Sequence, residues 1–491
     1  VDVAIVGSGP NGLAAGVVLA RAGLSVHVFE AGDTVGGGLR SRALFDDDVV
    51  HDLCSAVHPM AAASRFFREF DLGARGVDLL QPEASYAHPF PGGPPGVAYH
   101  SLDRTCAGLG ADGPRWRRLM EPLLEHSGPI VDLFLSDQRR LPADPSVPWL
   151  LGSRVLAHGT GLAGRWFSGR VAPGLLAGVA AHSLGPLPSL PGGAVAMLLG
   201  HLAHGSGWPV PRGGSQRIAD AMAADLVAHG GVVHTVAPVT DLRELARAKA
   251  VLLNVSPRVL LDLAGPWLPR RYRRRLERWR YGPGAAKVDF LVSEPIPWAD
   301  PELAAAGTVH LGEDERDVFA HETAVANGAP AAHPFTLVVD PAVADPSRAR
   351  GGRRPVWAYS HVPNGDRTDP AELVRARIER YAPGFSDTVL ARRGIPAAEL
   401  ADYNPNYVGG DIAGGAVTVP QMLFRPAPRW HPYRTPLGGV YLCSASTPPG
   451  PSVHGMAGYY AAADVLRREF GIRDLPSLEP DHPVRAAEGM R

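Results

Sequence analysis

Cysteine is nearly missing from this chain: Cys54, Cys106 and Cys443 are the three among 491 residues. They are odd in number and share no redox-pair or metal-like spacing, so no disulfide framework or thiolate metal site is expected. A reduced, cytoplasmic protein is the simplest reading. An excess of either charge is lacking too. Forty-eight basic residues face forty-nine acidic ones, which leaves no global field to recruit nucleic acid or anionic lipid. No run of about twenty uninterrupted apolar residues occurs, so a membrane-spanning helix is not expected. His201 and His204 stand three apart on an apolar stretch, but no third or fourth ligand accompanies them, and a metal site is rejected.

What the chain does have is a glycine-punctuated opening. Val3 to Val6 is a short apolar run that breaks at Gly7-x-Gly9-x-x-Gly12, continues as an Ala/Leu/Val-rich helix, turns at Gly23 and re-enters an apolar strand ending at Glu30. This is the order and spacing of a dinucleotide-binding unit. Gly7 permits the sharp exit from the strand, Gly9 lets the backbone approach a pyrophosphate, and Gly12 with Gly16 allows close helix–strand packing. The phosphates would sit on the helix N-terminus, where free N–H groups and the helix dipole favour negative charge. Glu30 is placed to accept hydrogen bonds from an adenosine ribose, and its charge disfavours the 2′-phosphate of NADP. A second glycine cluster, Gly36-Gly37-Gly38 followed by Arg40 and Arg42, separates flavin proteins from nicotinamide dehydrogenases, in which another strand–helix unit usually follows.

At 491 residues the chain exceeds one ordinary core. His58 lies where a residue can be delivered towards a flavin ring. An unperturbed imidazole titrates near neutrality and suits proton transfer, although a hydrogen-bonded structural role fits as well. Trp116 to Leu135 reads as one amphipathic helix. Val171 to Leu202 is apolar and small-residue-rich, suited to domain core, to a wall for an apolar substrate or to a membrane surface. Gln216 to Ala228 reads as a helix leading to the strand Val232 to Val236, with Val239 just beyond, and Val251 to Val255 reads as a buried strand. Arg270 to Arg280 is the one strong charge run. A phosphate or membrane surface and a solvated helix face with Leu276 inward both fit it. Near the end, Val440 to Cys443 is a strand that enters a Pro/Gly loop and then a helix starting near Val453 to Gly455. Such a helix N-terminus, aimed at an isoalloxazine, stabilises negative charge. Only one dinucleotide site is visible.

Taken together, the N-terminal VAIVGSGPNGLAAGVVLARAG and EAGDTVGGGLRS, the middle YGPGAAKVDFLVSEPIPW, the NPNYVGGDIAGG segment and the C-terminal YLCSASTPPGPSVHGMAGYYAA resemble the phytoene-desaturase-related flavoproteins, within the amine-oxidase-like superfamily. The resemblance spans nearly the whole chain. It implies an α/β fold in which a Rossmann-type FAD-binding domain (1–75, 206–284 and 430–471) interleaves with an α+β substrate domain (76–205 and 285–429), followed by a flexible tail (472–491). It implies noncovalent FAD bound by Gly7, Gly9, Gly12, Glu30, Gly37, Arg40 and Val239, with Val453, Gly455 and Met456 at the flavin end. His454 and Tyr459 would lie near the ring or substrate and join His58 as catalytic candidates. The implied reaction removes a hydride from an activated C–H of a small, apolar substrate and forms a double bond, with oxygen or a quinone taking the electrons. A redox-neutral isomerase or saturase using reduced FAD is the first alternative, and a flavin-free carrier resembling the Rab GDP-dissociation inhibitors the second. Peripheral membrane contact is compatible with each. The Ser446-to-Pro451 loop, STPPGP, departs from the more glycine-rich turn of related desaturases.

Overall fold

A computed structural model describes residues 1–137, 139, 142, 144–331 and 333–481. The expected fold class is the one found. The first sheet has five parallel strands in the spatial order Val440–Leu442, Ala250–Leu253, Val3–Val6, Val26–Phe29, Val232–His234. Val3 pairs with Val26 on one side and with Ala250 on the other. The central strand is therefore buried on both edges, and its four residues are all apolar and inaccessible.

Three helices pack on this sheet. Pro10–Arg21 follows the first strand, with Gln216–Ala228 on one flank and Met456–Glu469 on the other. Missing side chains set these contacts. A Cβ at Gly16 would stand 2.7 Å from Leu226 Cδ1, and one at Gly458 would overlap the carbonyl oxygen of Asn11. The first helix is thus gripped at backbone distance by a helix more than four hundred residues away in sequence.

The second sheet has seven strands in the order Val389–Ile395, Gly284–Val292, Arg354–Val362, Thr336–Val339, Thr308–Leu311, Ala84–Phe90, Gly93–Tyr99. Its pairings are antiparallel except between Thr308–Leu311 and Ala84–Phe90. Alternation along Gly284–Val292 divides two environments. Val288, Phe290 and Val292 join an aliphatic core on one face, while Lys287 and Asp289 point to the other. Val171–Ala180 and Leu190–His204 form two helices over that second face, and most of their residues are buried. Burial in the core, rather than membrane contact, is the use made of that apolar stretch.

Several local expectations are adjusted. The helix read over Trp116 to Leu135 is two, Gly113–Glu125 and Ser127–Phe134, separated at His126 just before Ser127-Gly128-Pro129. Pro129 lacks the N–H needed to continue the first ladder. Of the stretch expected as a flexible tail, residues 482–491 lie outside the described residues, and the preceding ten pack on the first domain. Leu478 is buried there, Arg21 donates to the Ser477 and Glu479 carbonyls, and Arg75 donates to that of Leu478. Among the described residues no helix is long and apolar enough to cross a membrane.

Gly458→Ala is expected to lower stability by about 3 kcal/mol, because the added methyl must push a pair of packed helices apart. The melting temperature in differential scanning calorimetry checks it, and an unchanged value would show that the helices slide apart freely.

Candidate functional site

The site is built where the first strand ends. Gly7 adopts a left-handed φ of +89°, open to glycine at little cost. A Cβ at Gly12 would overlap the Gly7 carbonyl oxygen, and one at Gly9 would meet the Asn254 amide at 2.9 Å. With its amide oxygen turned towards the loop, Asn254 accepts from the Gly9 and Gly12 N–H groups at 3.2 Å each. The following helix has no acidic residue in its first turn and no side-chain cap on Gly9. An anion at this end meets no like charge from the helix itself and gains the helix dipole.

The second glycine loop lies on the first. Gly36, at φ +115°, donates its N–H to the Ser8 carbonyl at 3.0 Å. A Cβ at Gly37 would come within 3.0 Å of Gly9 Cα. The two loops are therefore in backbone contact, a cradle that any side chain at Gly9 or Gly37 would fill.

Glu30 is buried between them. Its Oε2 accepts from the Ser8 N–H at 3.0 Å and the Ser8 hydroxyl at 2.5 Å. Its Oε1 accepts from the Gly32 N–H and from Arg40 Nη2, both at 2.8 Å. Burial pushes its pKa up, but those hydrogen bonds and the Arg40 charge outweigh it, and the carboxyl is held below its usual range. Glu30 is thus ionised with all four close acceptor positions used. Arg40 is folded back on it: Nε donates to the Thr34 carbonyl at 3.0 Å, and the guanidinium rests 5.6 Å from the Tyr403 ring. Of Glu30's four partners, three belong to the tight turn backbone or to Ser8. Arg40 is the long side chain that a ribose hydroxyl could displace. Val239 is half-buried two residues past Ala237, whose N–H bonds the Glu30 carbonyl at 2.9 Å.

Two tyrosines not singled out from sequence stand over the second loop. Tyr403 donates its hydroxyl to the Gly37 carbonyl at 2.5 Å, and the Tyr407 hydroxyl lies 3.4 Å from Cys54 Sγ. They come from the turn-rich segment around NPNYVGGDIAGG, where periodicity carries no signal.

At the other end, His454 bridges the C-terminal loop. Its Nε2–H donates to the Gly450 carbonyl at 3.1 Å, and Nδ1 accepts the Met456 N–H at 3.0 Å. Nδ1 takes the first N–H of the Met456–Glu469 helix and Nε2 ties the loop before it, so this geometry holds the loop and leaves His454 no free nitrogen. Gly455 has φ +71°, and a Cβ there would meet Phe66 at 2.6 Å. Val453, Met456 and Tyr459 belong to the first-domain core, Tyr459 with its ring edge towards Phe66 at 6.5 Å. Beneath the loop, Arg425 is buried and donates to the Ala413 and Gly415 carbonyls at 3.2 and 3.1 Å. Burial lowers its pKa to about 10, and Asp411 works against that shift.

His58 is buried at the domain junction. Its Nε2–H donates to Ser215 Oγ at 2.8 Å, because the Ser215 hydroxyl itself donates to the Ser55 carbonyl at 2.7 Å. Nδ1 keeps a lone pair without a partner. Ser215 N–H, the Ser41 hydroxyl and Arg348 converge on Asp52 at 2.8, 2.6 and 3.0 Å. This network ties the first domain to residue 348 of the second. His51, with neither ring nitrogen paired, stands 3.9 Å from Asp289 Oδ1, and Asp289 pairs with Lys287.

The same sheet face carries further buried polar groups that sequence reading passed over. His361 Nδ1–H donates to both Glu322 oxygens at 2.8 Å, and His182 and His310 share a hydrogen bond at 2.9 Å. His88 Nδ1, His310 Nδ1, His361 Nε2, Tyr86 Oη and Trp357 Nε1 are buried without partners. A residue-by-residue search for motifs misses them, because they come from separate strands and meet only through cross-strand register. His201 and His204 are instead satisfied locally, by the Met197 carbonyl at 2.8 Å and by the Tyr99 carbonyl and Trp116 indole at 2.8 and 3.1 Å. Among the described residues no three His, Cys, Asp or Glu side chains converge as a metal site.

With this geometry in hand, likeness to known proteins can be placed. The profile of the NAD(P)-binding Rossmann-like domain matches residues 5–70, the stretch holding both glycine loops and Glu30. The pyridine nucleotide-disulfide oxidoreductase domain-containing protein 2 of Rattus norvegicus is 25% identical over 547 aligned positions, covering 95% of this chain and 93% of that protein. In three dimensions the chain is similar to an oxidoreductase from Methanosarcina mazei, with TM-score 0.58 at 15% identity, covering 95% of this chain and 100% of that one. It is also similar to the cyclohexylamine oxidase of Brevibacterium oxydans IH-35A, with TM-score 0.58 at 17% identity and coverage of 95% and 98%. The fold is the two-domain α/β architecture shared with these solved structures. Within it, residues 5–70 form the Rossmann-type dinucleotide unit.

Burial holds His58, His88, His201, His204 and His454 at pKa values of about 4, and His51 and His182 at about 3. These imidazoles are neutral when folded, whereas in the unfolded chain they take protons near pH 6.5. Their contribution is complete above about pH 6.5 and is lost as the pH falls from there towards about 4, each by up to about 1.4 kcal/mol per pH unit. The urea midpoint is expected to drop steeply between about pH 6.5 and pH 4. A flat profile across that window would show that the imidazoles are already charged in the fold.

Proposed function

We propose that the protein is an FAD-dependent oxidoreductase that removes a hydride from a C–H bond, including one next to nitrogen, of a small organic substrate and so introduces a double bond. The observation that carries this reading is the backbone contact of two glycine loops beside an ionised, buried Glu30. A glycine cradle, a helix N-terminus and a ribose-facing carboxylate match the demands of an adenine dinucleotide. The second loop and the C-terminal strand–loop–helix, closing on the same first helix, favour FAD over a nicotinamide. Gly7, Gly9, Gly12 and Gly37 would admit the pyrophosphate, Glu30 the ribose, and Arg40 and the Val239 backbone the adenosine side. Val453, Gly455 and Met456 would border the flavin end. FAD, when bound, supplies the hydride acceptor, and oxygen or a quinone takes the electrons on.

The protein's own contribution is positioning and exclusion of water. Tyr403 and Tyr407 cover the second loop. The Lys287–Asp289 pair and the unpartnered His361 Nε2 present polar atoms from the sheet of the second domain, and buried atoms of this kind gain most from a substrate or water that bonds them. They favour a substrate carrying a hydrogen-bonding group over a bare hydrocarbon, a shift from the apolar chain that a phytoene-desaturase resemblance suggests. The hydride step needs no acid–base pair from the protein, and a substrate that must also lose a proton meets a free lone pair at His58 Nδ1 and none at His454.

A flavin-free carrier is favoured by one observation, the complete use of Glu30's acceptor positions by protein donors. Purified protein separates the two. We expect a yellow protein that releases FAD on heat denaturation, about tenfold weaker FAD retention in Glu30→Gln, and bleaching of the flavin when cyclohexylamine or another primary amine is added without oxygen. Product formed without net bleaching would move the reading to an isomerase. A colourless protein that takes up no added FAD would overturn it.

A further inference from the structure

We propose that the helix Arg270–Glu277 and the segment 419–430 together form a docking face for an anionic lipid bilayer. The helix turns Tyr272 and Leu276 into the first domain and leaves Arg270, Arg271, Arg274 and Arg275 exposed, with Arg278 and Arg280 continuing the stripe. From 270 to 280 there are seven arginines and one acid, Glu277, which pairs with Arg273 at 3.3 Å. Among the described residues the other six have no acidic partner within ion-pair distance. This is unlike many arginines elsewhere on the surface, such as Arg65, Arg104, Arg117 and Arg392, each of which meets a carboxylate. A charge run laced with partners is a solvated face, and this one is not laced.

The second observation is apolar. Trp430 is 78% exposed, Leu423 57%, Phe424 54% and Trp267 51%. These side chains border the basic helix. Gln421 binds both the N–H and the carbonyl of Arg280 at 3.0 Å, the Arg429 guanidinium lies 5.7 Å from the Tyr272 ring, and Trp267 precedes the helix by one short turn. Single exposed apolar residues need no explanation, but a group of large ones beside unpaired arginines does. Tryptophan and phenylalanine settle at the headgroup level of a bilayer, leucine reaches the acyl boundary, and arginines meet lipid phosphates. Nucleic acid offers the phosphates but nothing for Leu423 and Val419. The net charge of −1 makes the attraction local, felt within about 8 Å at physiological salt.

The test is co-sedimentation with vesicles of phosphatidylcholine alone or mixed with phosphatidylglycerol. Binding is expected to the mixed vesicles and not to the pure ones, and to weaken with salt. Arg270→Gln, Arg271→Gln, Arg274→Gln and Arg275→Gln together are expected to reduce partitioning by about six-hundredfold, each cation contributing roughly fivefold. Leu423→Ser, Phe424→Ser and Trp430→Ser together are expected to abolish the fraction that stays bound at high salt. All seven side chains are exposed, and an unchanged melting temperature checks that the variants fold. If either variant set melts lower, the wild-type comparison of the two vesicle types still decides. Absence of binding to phosphatidylglycerol vesicles, equal binding to both types, or displacement from them by a single-stranded oligonucleotide would overturn the proposal.

Discussion

Backbone contact around the first helix is the constraint on which the rest of this structure depends. Gly12 meets the Gly7 carbonyl, Gly16 meets Leu226, and Gly458 of the last helix meets Asn11. At each point a methyl group is the difference between packing and collision. Because strand, loop and both flanking helices can approach this closely, the N-terminus of the helix is held at a defined spot above the sheet. The dinucleotide cradle is that spot. Binding geometry and first-domain stability are therefore not separable properties here.

Electrostatics around the cradle follow from the same closeness. Glu30 is buried, and a buried carboxylate without donors would protonate. It remains charged because Ser8, Gly32 and Arg40 supply hydrogen bonds from three directions. The arrangement is preformed, so a ligand hydroxyl meets an acceptor already aligned, at the cost of moving a guanidinium. The domain junction uses the same solution a second time: Asp52 stays charged between Ser41, Ser215 and Arg348. In both places one long arginine closes the set, and its stem, unlike a backbone N–H, can swing away.

The glycine loop, both flanking strands, Glu30 and the C-terminal strand–helix were legible in sequence because each is a local pattern: apolar runs, fixed glycine spacing, a carboxylate at a strand end. What stayed hidden was made by distance along the chain. Arg348 reaches Asp52 across nearly three hundred residues, and Tyr403 reaches Gly37 across more. No periodicity encodes such pairs. His454 illustrates a different limit. Its position at a helix start suggests chemistry, yet the same position is where an imidazole can serve both the Met456 N–H and the Gly450 carbonyl. A residue type and its place in sequence cannot separate a cap from a base, whereas its two bond partners can. The helix read across His126 fails for a simpler reason, since apolar spacing outweighed the Ser-Gly-Pro that breaks it.

The first sheet takes its central strand from residues 3–6 and the strands on one side of it from residues 250–253 and 440–442. During synthesis the opening strand therefore emerges long before its partner, with one edge unpaired while some two hundred and forty residues follow it. Such non-local pairing closes slowly and leaves strand edges open to wrong partners meanwhile. The helix Met456–Glu469, made after both of these sheet strands, places Gly458 against Asn11 and seals the first helix. A ribosome-bound chain stopped short of residue 456 would hold every cradle glycine and yet lack the clamp over them.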